Sequence, residues 1–162
     1  MTQARTPHLA LIRERLGHLE RMEGYLAYSL SKVTAIVPRI GAEVLSADDH
    51  ESLAAFRVRF SDFQEHLGKA MRAVAIEEAL DVDRFGTVLA LMERLRILDS
   101  EEQWRTIRDL RNAVNHEYED DTARLGEFFT GLTAAAPALM AMRGRLARFC
   151  SKAYGFSAQA SG

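Results

Sequence analysis

Hydrophobic residues recur at alternating steps of three and four along the first part of the chain, with polar residues between them. This spacing places apolar side chains along one side of an α-helix. The apolar stripe consists of Leu9, Ile12, Leu16, Leu19, Met22, Leu26, Leu30, Val33 and Val37. We therefore predict an unusually long first helix, and Pro38 should end it because proline has no backbone N–H to donate.

The same period returns after Ser46-Ala47-Asp48-Asp49, a stretch with the composition of a turn. A second apolar stripe follows, made of Leu53, Phe56, Phe60, Phe63, Leu67, Met71 and Val74. This pattern predicts a second long helix, and two long amphipathic helices joined by a short connection are typical of a helical hairpin.

Three further helices are predicted in the second half of the chain. Asp83 is positioned to cap a short third helix. Ser100 and Gln103 have the spacing of a capping box, so a fourth helix should begin near Glu101 and end around Tyr118 to Asp121. The apolar residues of the third and fifth helices are Phe85, Leu89, Met92 and Leu95, then Leu125, Phe128, Leu132, Leu139, Leu146 and Phe149.

Neither a β-strand pattern nor an internal repeat is visible in the sequence. The predicted fold class is therefore all-α, an antiparallel bundle of about five helices. At 162 residues the chain has the length of one domain. We assign residues 1–155 to that domain and residues 156–162 to a flexible C-terminal tail.

Charge and cysteine content narrow the class of protein. The 21 basic and 23 acidic residues give a net charge of -2, so any contact with RNA must come from a local basic patch. Cys150 is the single cysteine, which fits a reducing cytoplasm and a small buried side chain. We expect a cytoplasmic protein without a secretion signal or a membrane span, because the longest uncharged run, 128–142, is shorter than about 20 residues and contains Pro137.

Residue types that can perform chemistry gather between Arg111 and Tyr118, near the predicted end of the fourth helix. Arg111 is a permanent cation suited to phosphate, His116 can exchange a proton near neutral pH, and Tyr118 carries a modifiable hydroxyl. With about 100° per residue, the polar arc of this helix contains Arg108, Arg111, Asn112, Asn115, His116 and Tyr118.

The geometry of this arc favours a site shared between two chains. Arg111 and Tyr118 lie nearly in line, whereas Arg111 and His116 diverge by about 140°. A second copy related by a two-fold axis would complete the site. The alternative is a solvated face, with Arg111 paired to Glu117 or Glu119 and His116 capping the helix.

A metal site is not predicted, because the histidines are scattered along the sequence and none belongs to a recognisable ligand motif. No cofactor is expected either. The second helix carries further basic residues, which are candidates for contacts with the RNA backbone, although a solvated helix face is the more common role of such residues. They are Arg57, Arg59, Lys69 and Arg72.

The segment from Trp104 to Tyr118 resembles the signature helix of HEPN-domain proteins, in particular HepT-like toxins encoded beside a minimal nucleotidyltransferase. The segments 59–64 and 96–100 are more loosely similar to that group. The resemblance implies an up-and-down helical bundle that forms a homodimer. It also implies a metal-independent ribonuclease, or a degenerate relative that only binds.

The resemblance makes Arg111 and His116 the catalytic pair, Asn112 a residue that positions them, and Tyr118 the residue that the nucleotidyltransferase antitoxin adenylylates. Arg108 and Asn115 are possible RNA contacts. The chemistry is consistent, since attack by the RNA 2′-hydroxyl needs proton transfer and stabilisation of charge on the phosphate. Two other functions remain open: a non-catalytic nucleotide- or nucleic-acid-binding subunit of a nucleotidyltransferase, and a helical interaction protein.

Overall fold

The computed structural model describes residues 2–113 and 121–156, and five α-helices follow one another in this part of the chain. They are α1 (Thr2–Ile36), α2 (Ala47–Glu77), α3 (Phe85–Arg94), α4 (Glu101–Asn112) and α5 (Thr122–Tyr154). No β-strand occurs among the described residues. The all-α prediction with five helices is confirmed, and the dimer stays a prediction.

Helix α1 ends where the sequence predicted. Pro38 lies in the short 3-10 turn Val37–Arg39 that follows Ile36. Four residues of the apolar stripe are fully buried, and they are spaced seven positions apart: Ile12, Leu19, Leu26 and Val33. Seven residues make nearly two helical turns, so these side chains form one straight row that faces the rest of the bundle.

Helix α2 begins with a complete capping box. The Ser46 hydroxyl accepts a hydrogen bond from the Asp49 N–H at 3.1 Å, and the Asp49 carboxylate accepts one from the Ser46 N–H at 3.0 Å. Arg39 donates to the same carboxylate at 2.9 Å and to Glu43 at 2.8 Å. The stretch predicted only as a turn therefore also starts α2 and attaches it to the end of α1.

Contacts between distant residues define the direction of the long helices. His8 near the start of α1 donates to the Ala73 carbonyl near the end of α2 at 2.9 Å, so these helices are antiparallel. The end of α5 lies beside the end of α2, because the Tyr154 hydroxyl donates to the Glu78 carboxylate at 2.7 Å. Helices α2 and α5 are therefore parallel to each other and antiparallel to α1.

The cap predicted for α3 is wrong. Arg84, rather than Asp83, is the N-cap residue, and its side chain forms no capping hydrogen bond. The Asp83 N–H instead donates to the Asp81 carboxylate at 3.0 Å. An aspartate next to the start of a helix caps it only when its own backbone has the extended N-cap geometry, and here Arg84 has that geometry.

The start of α4 is confirmed, because the Ser100 hydroxyl accepts a hydrogen bond from the Gln103 N–H at 3.0 Å. The reciprocal half of a capping box is missing, since the Gln103 Oε1 atom is buried and has no partner among the described residues. The predicted end of this helix near Tyr118 to Asp121 falls largely outside the described residues. Within them, the α-helix runs to Asn112.

Helix α5 lines the core along its length. Pro137 lies inside the helix at an exposed position. By length and composition, α5 is the one helix of the described chain that meets the criterion for a membrane span, a criterion that core helices also meet. Its inward residues Leu132, Leu139, Met142 and Leu146 are fully buried in the bundle.

Aromatic and sulfur-containing side chains are among the fully buried residues of the core. Phe56, Phe60 and Phe63 of α2 are fully buried. Cys150 is also fully buried, and burial raises the pKa of its thiol to about 12. The prediction of a small buried apolar residue is confirmed for this cysteine, because such a thiol stays protonated at neutral pH.

Candidate functional site

Helix α4 carries the described half of the predicted motif, and its apolar side fixes its orientation. Trp104 and Ile107 are buried, and Leu110 packs on Gly131 of α5. A Cβ atom added to Gly131 would lie 3.0 Å from the Leu110 Cδ2 atom, so the glycine permits the close approach of the two helices. The described residues of the predicted polar arc, Arg108, Arg111 and Asn112, therefore lie on the sides of α4 that are turned away from α5.

The described residues of that arc differ in exposure. Arg108 and Asn112 are exposed, whereas Arg111 is half-buried. No ion pair or hydrogen bond of the Arg108 or Arg111 guanidinium is formed with any residue of 2–113 or 121–156. These two cations are therefore available for an external anion as far as the described chain is concerned.

Arg108 and Arg111 line a cavity of about 220 Å³ between α2, α3 and α4, which we call the α2–α4 cavity. Four of its lining residues are basic: Lys69 and Arg72 of α2, and Arg108 and Arg111 of α4. Glu65 is the acidic residue of this lining, and it pairs with Lys69 at 3.5 Å. Both partners are about half exposed, so the pair is weak and the cavity keeps a positive character.

Helical spacing explains how distant residues of the sequence meet at this cavity. Gln64, Gly68 and Arg72 are separated by four residues each, which aligns them on one side of α2. Trp104, Arg108 and Arg111 are separated by four and three residues on α4, with the same result. The two rows face each other across the cavity, and Phe85 at the start of α3 lies at one side of it.

Two aromatic rings form part of the wall. The ring centres of Phe85 and Trp104 lie 6.3 Å apart with a tilt of 46° between the ring planes. The Arg72 guanidinium carbon lies 5.5 Å from the centre of the Phe85 ring, within the range of a cation–π contact. Gly68 has no side chain to fill the space, and a Cβ atom there would lie 3.5 Å from Trp104 Cζ2.

Gln64 is a polar residue that the sequence analysis did not single out for function. Its side chain is 1% exposed, and both its Oε1 and Nε2 atoms are buried without a partner among the described residues. Buried amides are normally hydrogen-bonded. The available signal was a glutamine between Phe63 and Leu67, two positions of the apolar stripe of α2.

The remaining predicted site residues, Asn115, His116 and Tyr118, lie outside the described residues, as do Glu117 and Glu119 of the alternative interpretation. The structure therefore brings Arg108 and Arg111 together at one cavity and leaves Asn112 exposed on the surface nearby. The angular separation of Arg111 and His116 stays a prediction.

Two of the histidines that are scattered along the sequence are in contact in the structure. The rings of His18 on α1 and His66 on α2 meet edge-to-face, with their centres 5.0 Å apart. Burial, with a smaller contribution from His18, lowers the pKa of His66 below its usual value. No group of three or more His, Cys, Asp or Glu side chains is arranged for a metal ion within the described residues.

Comparisons of the chain with protein-family models, with curated proteins and with solved structures give no match.

Proposed function

We propose that this protein is a metal-independent endoribonuclease toxin of a toxin–antitoxin pair that acts in the cytoplasm as a homodimer. The observation that carries the proposal is the position of Arg111. Arg111 is half-buried and lines a basic cavity with two aromatic rings, and its guanidinium has no partner among the described residues. Basic and aromatic side chains together are typical of surfaces that bind single-stranded nucleic acid.

In the proposed reaction, the RNA 2′-hydroxyl attacks the adjacent phosphorus and the bond to the 5′-oxygen of the next nucleotide breaks. His116 removes the proton of the 2′-hydroxyl and, as the imidazolium, can then protonate the leaving oxygen. The His116 of the partner chain speeds the reaction by taking over this second transfer, but one histidine is sufficient for slower cleavage. Arg111 stabilises the negative charge that develops on the phosphate oxygens. Asn112 positions the pair, and Arg108 and Asn115 contact the RNA.

The proposed antitoxin is a minimal nucleotidyltransferase that adenylylates Tyr118. One or more adenylyl groups on this hydroxyl would place negative phosphate beside the guanidinium intended for RNA. Co-expression with the partner should therefore raise the mass of the chain in steps of one adenylyl unit. Tyr118→Phe should abolish this increase, and full neutralisation without modification would show that the antitoxin acts by occlusion.

Cleavage of RNA by the purified chain tests the central part of the proposal. Arg111→Ala and His116→Ala should each abolish cleavage, and a chelator should leave the wild type active. Thermal unfolding of both variants should match the wild type, because their expected role is chemical. Cleavage that persists in both variants, or that the chelator stops, would contradict the proposal.

The second candidate function is a non-catalytic subunit that binds nucleotide or nucleic acid for a nucleotidyltransferase. The same cavity favours it, because four basic residues and two rings bind a nucleotide whether or not a bond is broken. Binding of RNA without cleavage by the wild type would favour this function over the ribonuclease.

A further inference from the structure

We propose that the α2–α4 cavity is a binding subsite for one nucleotide, with the base against Trp104 and Gln64 and the phosphate against Arg108 and Arg111. The assignment of this nucleotide to an RNA chain rests on the proposed function. The cavity is also lined by four residues that the ribonuclease motif does not include, namely Gln64, Gly68, Phe85 and Trp104.

Gln64 is the observation that points to a ligand. Gln64 lines the cavity, and both polar atoms of its buried amide are unpaired among the described residues. The next member of the same helix row, Gly68, has no side chain and leaves the cavity open. An unpaired buried amide lowers the stability of the fold, so an apolar residue of similar size would serve the core better. A ligand that supplies an acceptor and a donor compensates for this cost, and the edge of a nucleobase presents both.

The size of the cavity limits the ligand. About 220 Å³ is less than the roughly 300 Å³ at which pockets for drug-sized molecules begin. The space therefore suits one base with its sugar or phosphate at the opening rather than a dinucleotide. Trp104 and Phe85 offer ring surface for stacking, an interaction that accepts any base.

The charges are placed to bind the phosphate of the same nucleotide. Gln64 and Trp104 are buried at 1% and 3% exposure, whereas Arg111 is half-buried and Arg108 is exposed. The lining thus changes from an apolar interior with an amide to a cationic rim. This order matches a nucleotide whose base points inward and whose phosphate remains near solvent.

Trp104 provides a direct probe, because it is the single tryptophan of the chain. Its fluorescence should change in a saturable manner on titration with nucleoside 5′-monophosphates. Inorganic phosphate alone and nucleosides alone should each bind about tenfold more weakly, since each uses only one part of the cavity. Equal binding of inorganic phosphate and nucleotide would overturn the base-binding part of the proposal.

Gln64→Leu tests the role of the amide, with Gln103→Leu as the matched control. Both glutamines have a buried Oε1 atom without a partner in the described part of the chain, but Gln103 does not line this cavity. Gln64→Leu should weaken nucleotide binding about tenfold while the melting temperature stays equal or rises. Unchanged nucleotide affinity, or a loss of affinity together with a lower melting temperature, would overturn the proposal.

A second pair of variants tests the cavity without changing the amide. Gly68→Met should fill the space beside Trp104 and Phe85 and abolish nucleotide binding. Gly68→Ala adds only a Cβ atom at ordinary contact distance, 3.5 Å from Trp104, and should bind nearly as the wild type does. Nucleotide binding by Gly68→Met at wild-type strength would place the ligand elsewhere.

RNA cleavage and nucleotide binding separate failure of this inference from failure of the proposed function. A Gln64→Leu chain that binds nucleotide and cleaves RNA normally would remove the subsite and leave the ribonuclease. A wild type that binds nucleotide through Gln64 without cleaving RNA would keep the subsite and remove the ribonuclease. A short single-stranded RNA should displace the mononucleotide, and failure to do so would show that the cavity takes free nucleotides only.

Discussion

At the scale of single residues, the contact between His18 and His66 connects the stability of the bundle to pH. Burial, the ring of His18 and the ammonium of Lys69 hold the pKa of His66 below the ordinary value of 6.5, against the opposing effect of Glu65 and Asp62. The unfolded chain therefore binds a proton at higher pH than the folded chain does. The contribution of His66 to the free energy of unfolding should therefore fall as the pH drops below about 6.5.

His66→Gln should remove this part of the pH dependence. Urea unfolding of the wild type and the variant, measured above and below pH 6.5, gives the free energy of unfolding at each pH. The slope of this free energy against pH should be smaller in the variant than in the wild type. His50→Gln is a matched control, because His50 is an exposed residue of the same helix. Equal pH slopes for the wild type and His66→Gln would contradict the expected linkage.

Single residues are also where sequence reasoning was least complete. The hydrophobic period correctly placed Phe56, Phe60 and Phe63 of α2 in the core. It did not identify Gln64, because a glutamine between two stripe positions looks the same in sequence whether it is paired, solvated or buried. The residue type of Asp83 also gave a wrong N-cap for α3, since capping depends on the backbone conformation of one residue.

At the scale of elements, α4 presents Arg111, and the cap at its start should contribute to its stability. Ser100→Ala removes the oxygen that accepts a hydrogen bond from the Gln103 N–H, and the loss of a serine cap lowers the free energy of unfolding by about 1 kcal/mol. Urea unfolding of the wild type and the variant should show this decrease. Ser31→Ala, which removes a hydroxyl bonded to the Tyr28 carbonyl inside α1, should have a smaller effect. Equal decreases in the free energy of unfolding for Ser100→Ala and Ser31→Ala would contradict a specific contribution of the cap to stability.

Helices α1, α2, α3 and α5 were predictable because each carries an apolar stripe in which the 3.6-residue period is clear, whereas α4 was predicted from the spacing of the residues at its start. Pro38 and Ser100 also gave correct boundaries. The α2–α4 cavity was not predictable, because it depends on which rows of two helices face each other. No local pattern specifies that Gly68 lies opposite Trp104, a contact between residues distant in sequence.

At the scale of the whole molecule, we predict a two-fold dimer in which the α4 helices of two chains approach each other. The predicted divergence of about 140° between Arg111 and His116 makes a complete site within one helix difficult. Sedimentation velocity at micromolar concentration should give the mass of two chains. A stable monomer would contradict the shared site and favour the non-catalytic nucleotide-binding subunit over the ribonuclease.

Mixed dimers test the central claim most directly, because they ask whether Arg111 and His116 of different chains form one RNA-cleaving site. Arg111→Ala and His116→Ala chains should each be inactive alone. When the two variants are co-expressed, the mixed dimer retains one intact arginine and one intact histidine on opposite chains. The account predicts that RNA cleavage returns to a fraction of the wild-type rate in this mixture. Complete absence of cleavage in proven mixed dimers, or full activity of either variant alone, would contradict it.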